Sequence, residues 1–405
     1  MSAPTFDNPS SLRHALDAVT PWLAEQSAQV DAAGQFPSDN MAVLHRSGLL
    51  QVGLSRQRGG AGLGAETTFV EYFDAVSTLA RACSNTAQLF TVQNGALYTL
   101  EQLARPALLD EIASAVRLEG ASFCFVGAEP DERFTHDNKR VNVKSIATPL
   151  ASGQWHVSAE KAFATGSVGC RYALFQCATA AEDTGRPPES VLVVLPSDHP
   201  AVEIQDTWNG IGQRATASGR LKVASSKVDG FWVAGNPADA VHGALFAPLY
   251  QLGFAAILAG IGEAALDDTL TFVHGVLKPT YGYERPADEP AIQAHVGDIR
   301  VALSASRALI REAARSMDAC LREEADIADV LVAVYQAKVH ASVSALEASS
   351  RLFQVGGARS ATRDWAFDRH WRNARTLTLH DSVDKQKGIV ARHVLGIERP
   401  NVSTR

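Results

Sequence analysis

A histidine followed directly by an aspartate, His380-Asp381, closes a stretch crowded with arginines, Phe367-Asp-Arg-His-Trp-Arg-Asn-Ala-Arg-Thr-Leu-Thr-Leu-His-Asp-Ser. Imidazole titrates near neutrality, so His380 is suited to giving or taking a proton. Asp381 could orient that ring. Equally, its spacing before Lys385 suits a helix N-cap. Upstream, Gly356-Gly357-Ala358-Arg359-Ser360 joins two helical stretches. Glycines allow a backbone to approach a ligand, and a fresh helix start attracts anions. A tight turn that needs glycine is the plainer alternative. Arg369, Arg372 and Arg375 recur every third residue, with Asp368 four before Arg372, and read as a salt-bridged helix face. Glu160-Lys-Ala-Phe-Ala-Thr-Gly-Ser167 places an aromatic ring, Phe163, and two hydroxyls, Thr165 and Ser167, where a strand gives way to a turn. Trp208-Asn-Gly-Ile-Gly-Gln-Arg-Ala-Thr-Ala-Ser218 adds Arg214 and Ser218 as polar candidates. The glycines at 59–64 form no GxGxxG, carry no Lys-Ser/Thr and follow no strand, so they read as a turn.

Three kinds of segment must position these residues. From Ser10 to about Leu118 the pattern is helical. Ser10-Ser11 suits a first cap, and Leu12, Leu16, Val19 and Leu23 share one face. Helices are expected from Pro37 through Leu44, Thr67 to Leu79 and Ala87 to Leu103. From about Ala121 to Val233 the period changes to two. Trp155 to Ala159, Tyr172 to Cys177, Val191 to Leu195 and Leu221 to Val228 read as strands. No βαβ alternation occurs, so no Rossmann unit is expected. From about Ala240 long helices return: Leu249 to Leu277, Ala291 to Arg322, Ala325 to Phe353, and a last one that begins after Gly357 and includes the arginine stripe. Short breaks between long helices indicate an antiparallel bundle. Ala255, Ala256, Ala259, Gly260, Ala264 and Ala265 allow close helix approach, in a tight intrachain core or at an oligomer interface.

Composition narrows the function classes. The 405 residues carry a net charge of −7 and no basic block, so nucleic acid is not an expected partner. The apolar run Ala247 to Val276 is broken by Gln251, Glu263, two aspartates and glycines, and reads as a buried helix rather than a membrane span. No signal-peptide pattern opens the chain. Five scattered cysteines without CxxC spacing fit free thiols in a reducing cytoplasm, with neither a zinc site nor a disulfide framework.

The order of these segments resembles the acyl-CoA dehydrogenase-fold flavoproteins over nearly the whole chain. The motifs that carry the resemblance are Phe36-Pro37, Gly59-Gly60-Ala-Gly62, Glu160 to Ser167, and the C-terminal Gly356-Gly357 to His380-Asp381 signature. It is closest to the monooxygenase branch, which includes dibenzothiophene and dimethylsulfone monooxygenases. The resemblance implies an α+β fold: an N-terminal helical domain (1–118), a middle β-domain (119–238) and a C-terminal four-helix bundle (239–405).

The same resemblance implies roles. Phe163 would pack near a flavin isoalloxazine, with Thr165 at its N5 edge and Ser167 and Ser218 as further contacts. Arg285, in Glu284-Arg-Pro286, would fork onto a flavin phosphate, and Gly356, Gly357, Ala358 and Arg359 would reach flavin held by a neighbouring subunit. His380 would donate a proton as reduced flavin meets O₂, with Asp381 in support and Thr165 close to the chemistry. A homotetramer is expected, using reduced FMN, or FAD, from a separate reductase on a small organic, for example organosulfur, substrate. The rival is an acyl-CoA dehydrogenase with FAD and Asp381 as α-proton base. Departures from the monooxygenase pattern, Leu377, Ser382 and Phe125-Val-Gly-Ala-Glu-Pro, leave the reaction class open.

Overall fold

A computed structural model describes residues 6, 9–130, 133–134, 140–141, 143–179, 189–236 and 245–400. The chain starts with α1 (Pro9–Ala33), whose Leu12, Leu16, Val19 and Leu23 are all buried. Then come α2 (Ser38–Arg46), α3 (Phe69–Ala82), α4 (Ser84–Leu103) and α5 (Pro106–Glu119). A capping box starts α3: Thr68 accepts from the Glu71 N–H, and the Glu71 carboxylate accepts from the Thr68 N–H. Pro106 begins α5, and Gly120, at φ 72, ends it.

Helix α4 is buried all round from Ser84 to Leu100. Its polar side chains make this tolerable by satisfying neighbouring backbone. Gln93 donates to the Leu50 and Ala121 carbonyls and accepts from the Phe123 N–H. Asn94 donates to the Leu49 and Phe90 carbonyls and accepts from the Gly53 N–H.

The strands are β1 (Phe123–Val126), β2 (Arg133–Phe134), β3 (Arg140–Val141), β4 (Ile146–Pro149), β5 (Gln154–Ala164), β6 (Tyr172–Ala178), β7 (Ser190–Pro196), β8 (Val202–Gln205), β9 (Gly219–Asp229) and β10 (Val233–Gly235). The main sheet runs β10-β7-β6-β4-β5-β9-β8, with β1 parallel against β6; β2 and β3 pair separately. The four expected strands lie within β5, β6, β7 and β9. The pairing of β5 with β9 slips between Lys161 and Ala164, forming a bulge.

The C-terminal helices are α6 (Phe246–Gly275), α7 (Pro290–Leu321), α8 (Ile327–Ser360), α9 (Asp368–Leu377) and α10 (Val383–Val394). The last helix departs from the sequence-based expectation. The arginine stripe does not continue a helix begun after Gly357. The chain breaks at Gly357 (φ 59), passes through a 3₁₀ turn at Arg363–Trp365 and the left-handed Ala366 (φ 49), and restarts at Asp368. Trp365 and Phe367 stack on each other at 5.6 Å, and both meet Phe272 edge-on, so apolar packing fixes the break. The expected boundary after 118 falls at the end of α5. The boundary between 238 and 239 lies outside the described residues.

Helix α6 is long and apolar enough to cross a membrane, yet 94% of its most apolar window is buried inside the protein. It packs on α3, α4, α7, α8 and α9. Close approach depends on its small residues: a Cβ at Gly260 would lie 2.5 Å from the Ser77 carbonyl oxygen and 2.9 Å from the Arg81 nitrogen. These are backbone atoms that cannot swing aside. Gly260→Ala is therefore expected to destabilise by about 1–3 kcal/mol through overpacking. Gly275→Ala, with nothing within 4 Å, should be close to neutral. Urea denaturation of the two variants checks the contrast, and equal effects would refute it.

Candidate active site

The bulge in β5 turns Phe163 outward. Its φ is 58, a left-handed conformation that a side chain adopts at a cost, and its ring is 69% exposed. Trp208 meets it edge-on at 6.4 Å. An apolar ring held out to solvent by a strained residue fits a planar ligand that would cover it. Two residues on, Thr165 pairs with Phe125 of β1 in an isolated bridge. Its hydroxyl lies 2.9 Å from Gln88 Nε2 and 3.1 Å from Ser218 Oγ, and Ser218 in turn lies 2.8 Å from Thr216 Oγ1. The structure thus brings Phe163, Thr165 and Ser218 together.

Ser167 sits differently. It is fully buried, and its hydroxyl donates to the Ala217 carbonyl and accepts from the Gly219 N–H. Those bonds brace the end of β5 against β9 and use the Ser167 hydroxyl on backbone partners. Arg214 lies against Gly34 at the end of α1, so it holds its loop rather than facing the ring of Phe163.

Beneath this strand end lies a buried ion pair. Lys161 Nζ is 3.1 Å from Glu129 Oε1, with side chains 0% and 2% exposed, and also donates to the Gly127 carbonyl. Glu129 accepts from the Lys144 and Ser145 N–H groups as well. Burial alone would raise its pKa; Lys161 and these donors prevail and hold it below the ordinary 4.5.

His380 lies on the turn between α9 and α10, its ring tilted against Phe254 of α6 at 3.9 Å between centroids. Asp381 is not the N-cap of α10: Ser382 takes that position and accepts from the Lys385 N–H. Asp381 Oδ2 instead accepts from Gln251 Nε2 (3.1 Å) and Gln386 Nε2 (3.3 Å), with Lys385 Nζ 3.8 Å from Oδ1. Gln251 Oε1 accepts from Lys338, which is fully buried on α8 with its ammonium 5.7 Å from the centre of the Phe254 ring. An aromatic row on α6 links the two groups. Phe246, Tyr250 and Phe254 follow at helical spacing, and Tyr250 stacks at 4.9 Å on Phe125, the bridge partner of Thr165.

The remaining candidates lie elsewhere. Gly356 packs near Phe272, and Arg359 donates to the Val276 carbonyl, both at the C-terminal end of α6. Phe254 and Phe272 are five turns apart, about 27 Å of helix. Gly357, Ala358 and Arg359 are exposed. A Cβ at Gly356 would fall 2.4 Å from the Ser360 Cβ, so glycine is required there by close packing. Arg285 is 75% exposed and paired with Asp288 at 2.6 Å. Within one chain this group does not join His380.

Sequence reasoning missed Gln88, Gln213, Lys338 and Gln386, and read Gln251 only as an interruption. A signal existed for Lys338. It shares the helical face of Val334, Ala341 and Ala345, all buried, where a lysine needs a reason.

Two family profiles match the chain: Acyl-CoA dehydrogenase, N-terminal domain, over residues 13–112, and Acyl-CoA dehydrogenase, C-terminal domain, over residues 252–385. The Probable FMNH2-dependent monooxygenase SfnC of Pseudomonas putida is 30% identical, covering 99% of this chain and 98% of the relative. Dibenzothiophene monooxygenase of Rhodococcus qingshengii is 28% identical, covering 95% and 94%. The crystal structure of FMN-bound TdsC from Paenibacillus sp. A11-2 superposes with a TM-score of 0.87 at 25% identity, covering 97% of this chain and 99% of that one.

The Lys161–Glu129 pair generates a pH prediction. Glu129 has a folded pKa below its unfolded value, so the unfolded chain takes up the proton first. Its contribution is present above about pH 4.5 and lost as pH falls through the depressed value. Glu129→Gln is expected to flatten that acid limb in denaturation curves. Lys161→Met is expected to cost about 3–5 kcal/mol at pH 7 by removing a cation 3.1 Å from a buried carboxylate. An acid limb unchanged in Glu129→Gln would refute the assignment.

Proposed function

The chain belongs to the acyl-CoA dehydrogenase family and, within it, to the flavin-dependent monooxygenases; from that membership we propose that it is the oxygenase component of a two-component system. Reduced FMN would come from a separate reductase. The substrate would be a small organic molecule, with organosulfur compounds first in line because relatives carry such names. The residues at the β5 end and the α9–α10 turn suit this role. Phe163 would cover one part of the isoalloxazine and Thr165 its N5 edge. When bound, the reduced flavin supplies the electrons that activate O₂. His380 would hold the proton that the oxygen chemistry consumes, with Phe254 beneath its ring keeping that side free of water.

One observation carries this reading: the state of Asp381. A dehydrogenase base needs a carboxylate free to take a proton from a substrate carbon. Here Oδ2 is held by two side-chain amides, one of them linked to the buried Lys338 ammonium. Those bonds fix the carboxylate in place, whereas a base must be free to reach the substrate carbon. Asp381 is also a methylene shorter than the glutamate usual in the dehydrogenases. Anchoring fits a carboxylate that positions His380.

The distance between His380 and the Gly356–Arg359 segment supports a shared site, in which Arg359 and Arg285 reach flavin on a neighbouring subunit of a homotetramer. All five cysteines are free, as in a cytoplasmic enzyme.

His380→Ala is expected to keep flavin binding and O₂ consumption, lose product formation by about 100- to 10,000-fold, and release hydrogen peroxide instead. Asp381→Asn should do less damage. Dibenzothiophene turnover and peroxide release measured together check this, and a fully coupled His380→Ala enzyme would overturn it. In sedimentation, FMN is expected to travel with an oligomer; a monomer binding it at full affinity would overturn the shared site.

A further inference from the structure

The hydroxyls beside β5 form a line, and its direction is fixed by backbone groups. A carbonyl only accepts, and a backbone N–H only donates. The Gln213 N–H donates to Asn373 Oδ1 (2.6 Å), so Asn373 Nδ2 faces Ser84 Oγ (3.2 Å). Ser84 Oγ donates to Gln213 Oε1 (2.8 Å), and Gln213 Nε2 donates to the Ser84 carbonyl (3.1 Å). Both routes give the Gln213 amide the same orientation. Gln213 Nε2 also donates to Gln88 Oε1 (2.8 Å), which turns Gln88 Nε2 toward Thr165 Oγ1 (2.9 Å). At the other end, Thr216 donates to the Gln213 carbonyl (2.9 Å). Having one proton, Thr216 accepts from Ser218 (2.8 Å), and Ser218 accepts from Thr165 (3.1 Å). The protons therefore run one way, from Gln88 through Thr165, Ser218 and Thr216 to the Gln213 carbonyl.

Thr165 is left with a lone pair and no proton for a ligand. We infer that Thr165 is a specificity-determining residue that offers the flavin only an acceptor and so favours its reduced form. The inference rests on the reading that Thr165 lies at the N5 edge. Reduced isoalloxazine carries a hydrogen at N5 and donates it; oxidised N5 is a bare acceptor and would face a second acceptor. Thr165, Ser218 and Thr216 are at most 7% exposed, so water does not readily reset the line. Gln88, Gln213, Ser218 and Thr216 act through Thr165 as positioning residues. An oxygenase loaded by a separate reductase gains selectivity for the form that reacts.

The test is anaerobic titration of the whole protein with oxidised and with photoreduced FMN. The wild type is expected to bind reduced FMN more tightly. Thr165→Val should weaken reduced FMN about three- to tenfold, the value of one hydrogen bond, and leave oxidised FMN nearly unchanged. Ser218→Ala should act on the other form: it releases the Thr165 proton, and oxidised FMN should tighten by a similar factor. Thr165→Ser should keep the wild-type ratio. Each tenfold loss of preference lowers the two-electron potential of the bound flavin by about 30 mV. Equal changes in both forms, or a Ser218→Ala protein with unchanged affinity for oxidised FMN, would overturn the inference and leave the flavin site standing. Wild-type affinities for both forms in Thr165→Val would overturn the site itself. If Thr165→Val fails to fold, Ser218→Ala decides alone.

Discussion

Helix α6 is buried from Pro248 to Glu263, where water is not available to satisfy what it carries. Its charged and amide side chains take protein partners instead. Glu263 is held by Arg300 at 2.7 Å, with Arg307 nearby. Asp268 takes Arg369 and His370, each at 2.7 Å. Burial first, and then Arg369, keep the His370 pKa below its ordinary value, against the pull of Asp268. Gln251 joins Lys338 to Asp381. These demands fix where α8, α9 and the α9–α10 turn sit, and thereby place His380.

The same logic governs the loop beside the end of β5. The 213–217 loop adopts left-handed backbone at Gln213 (φ 47) and Ala217 (φ 45), which neither residue favours. Hydrogen bonds compensate: the buried Ala215 N–H to Asn85 and Gln213 N–H to Asn373, and the half-buried Trp208 Nε1 to the Gln213 carbonyl. Asn85 and Gln88 lie on one face of α4, three residues apart, and Asn373 comes from α9. Helices from both ends of the chain thus orient one loop.

How much of this the sequence disclosed depends on periodicity. Leu12, Leu16, Val19 and Leu23 announced their buried face, and β5, β6, β7 and β9 were long enough to alternate. Strands β1, β4, β8 and β10, three or four residues each, were too short to show a period. The resemblance drew attention to Thr165, Phe163 and His380. The Asp368–Arg372 pair was legible from its spacing. The resemblance could not show that Ser167 is consumed by the backbone, or that Arg372 also reaches Asp31 and the Ile211 carbonyl. Those outcomes are settled by partners distant in sequence, which no local pattern encodes. That Ser382 rather than Asp381 caps α10 is a choice between neighbours that spacing alone leaves open.

The slip in register at Phe163 has its own consequence. In a regular strand, a side chain belongs to one face or the other, and exchanging it disturbs its cross-strand neighbours. The bulge releases position 163 from that arrangement. The sheet is held on either side, by Lys161 paired with Leu221 and Ala164 paired with Gly219, while Phe163 itself makes no ladder pairing. The residue a ligand would meet first is therefore the one the scaffold needs least. Its size and electronic character are open to change without rebuilding the sheet, which makes position 163 a natural place for relatives of this fold, or a protein engineer, to retune recognition.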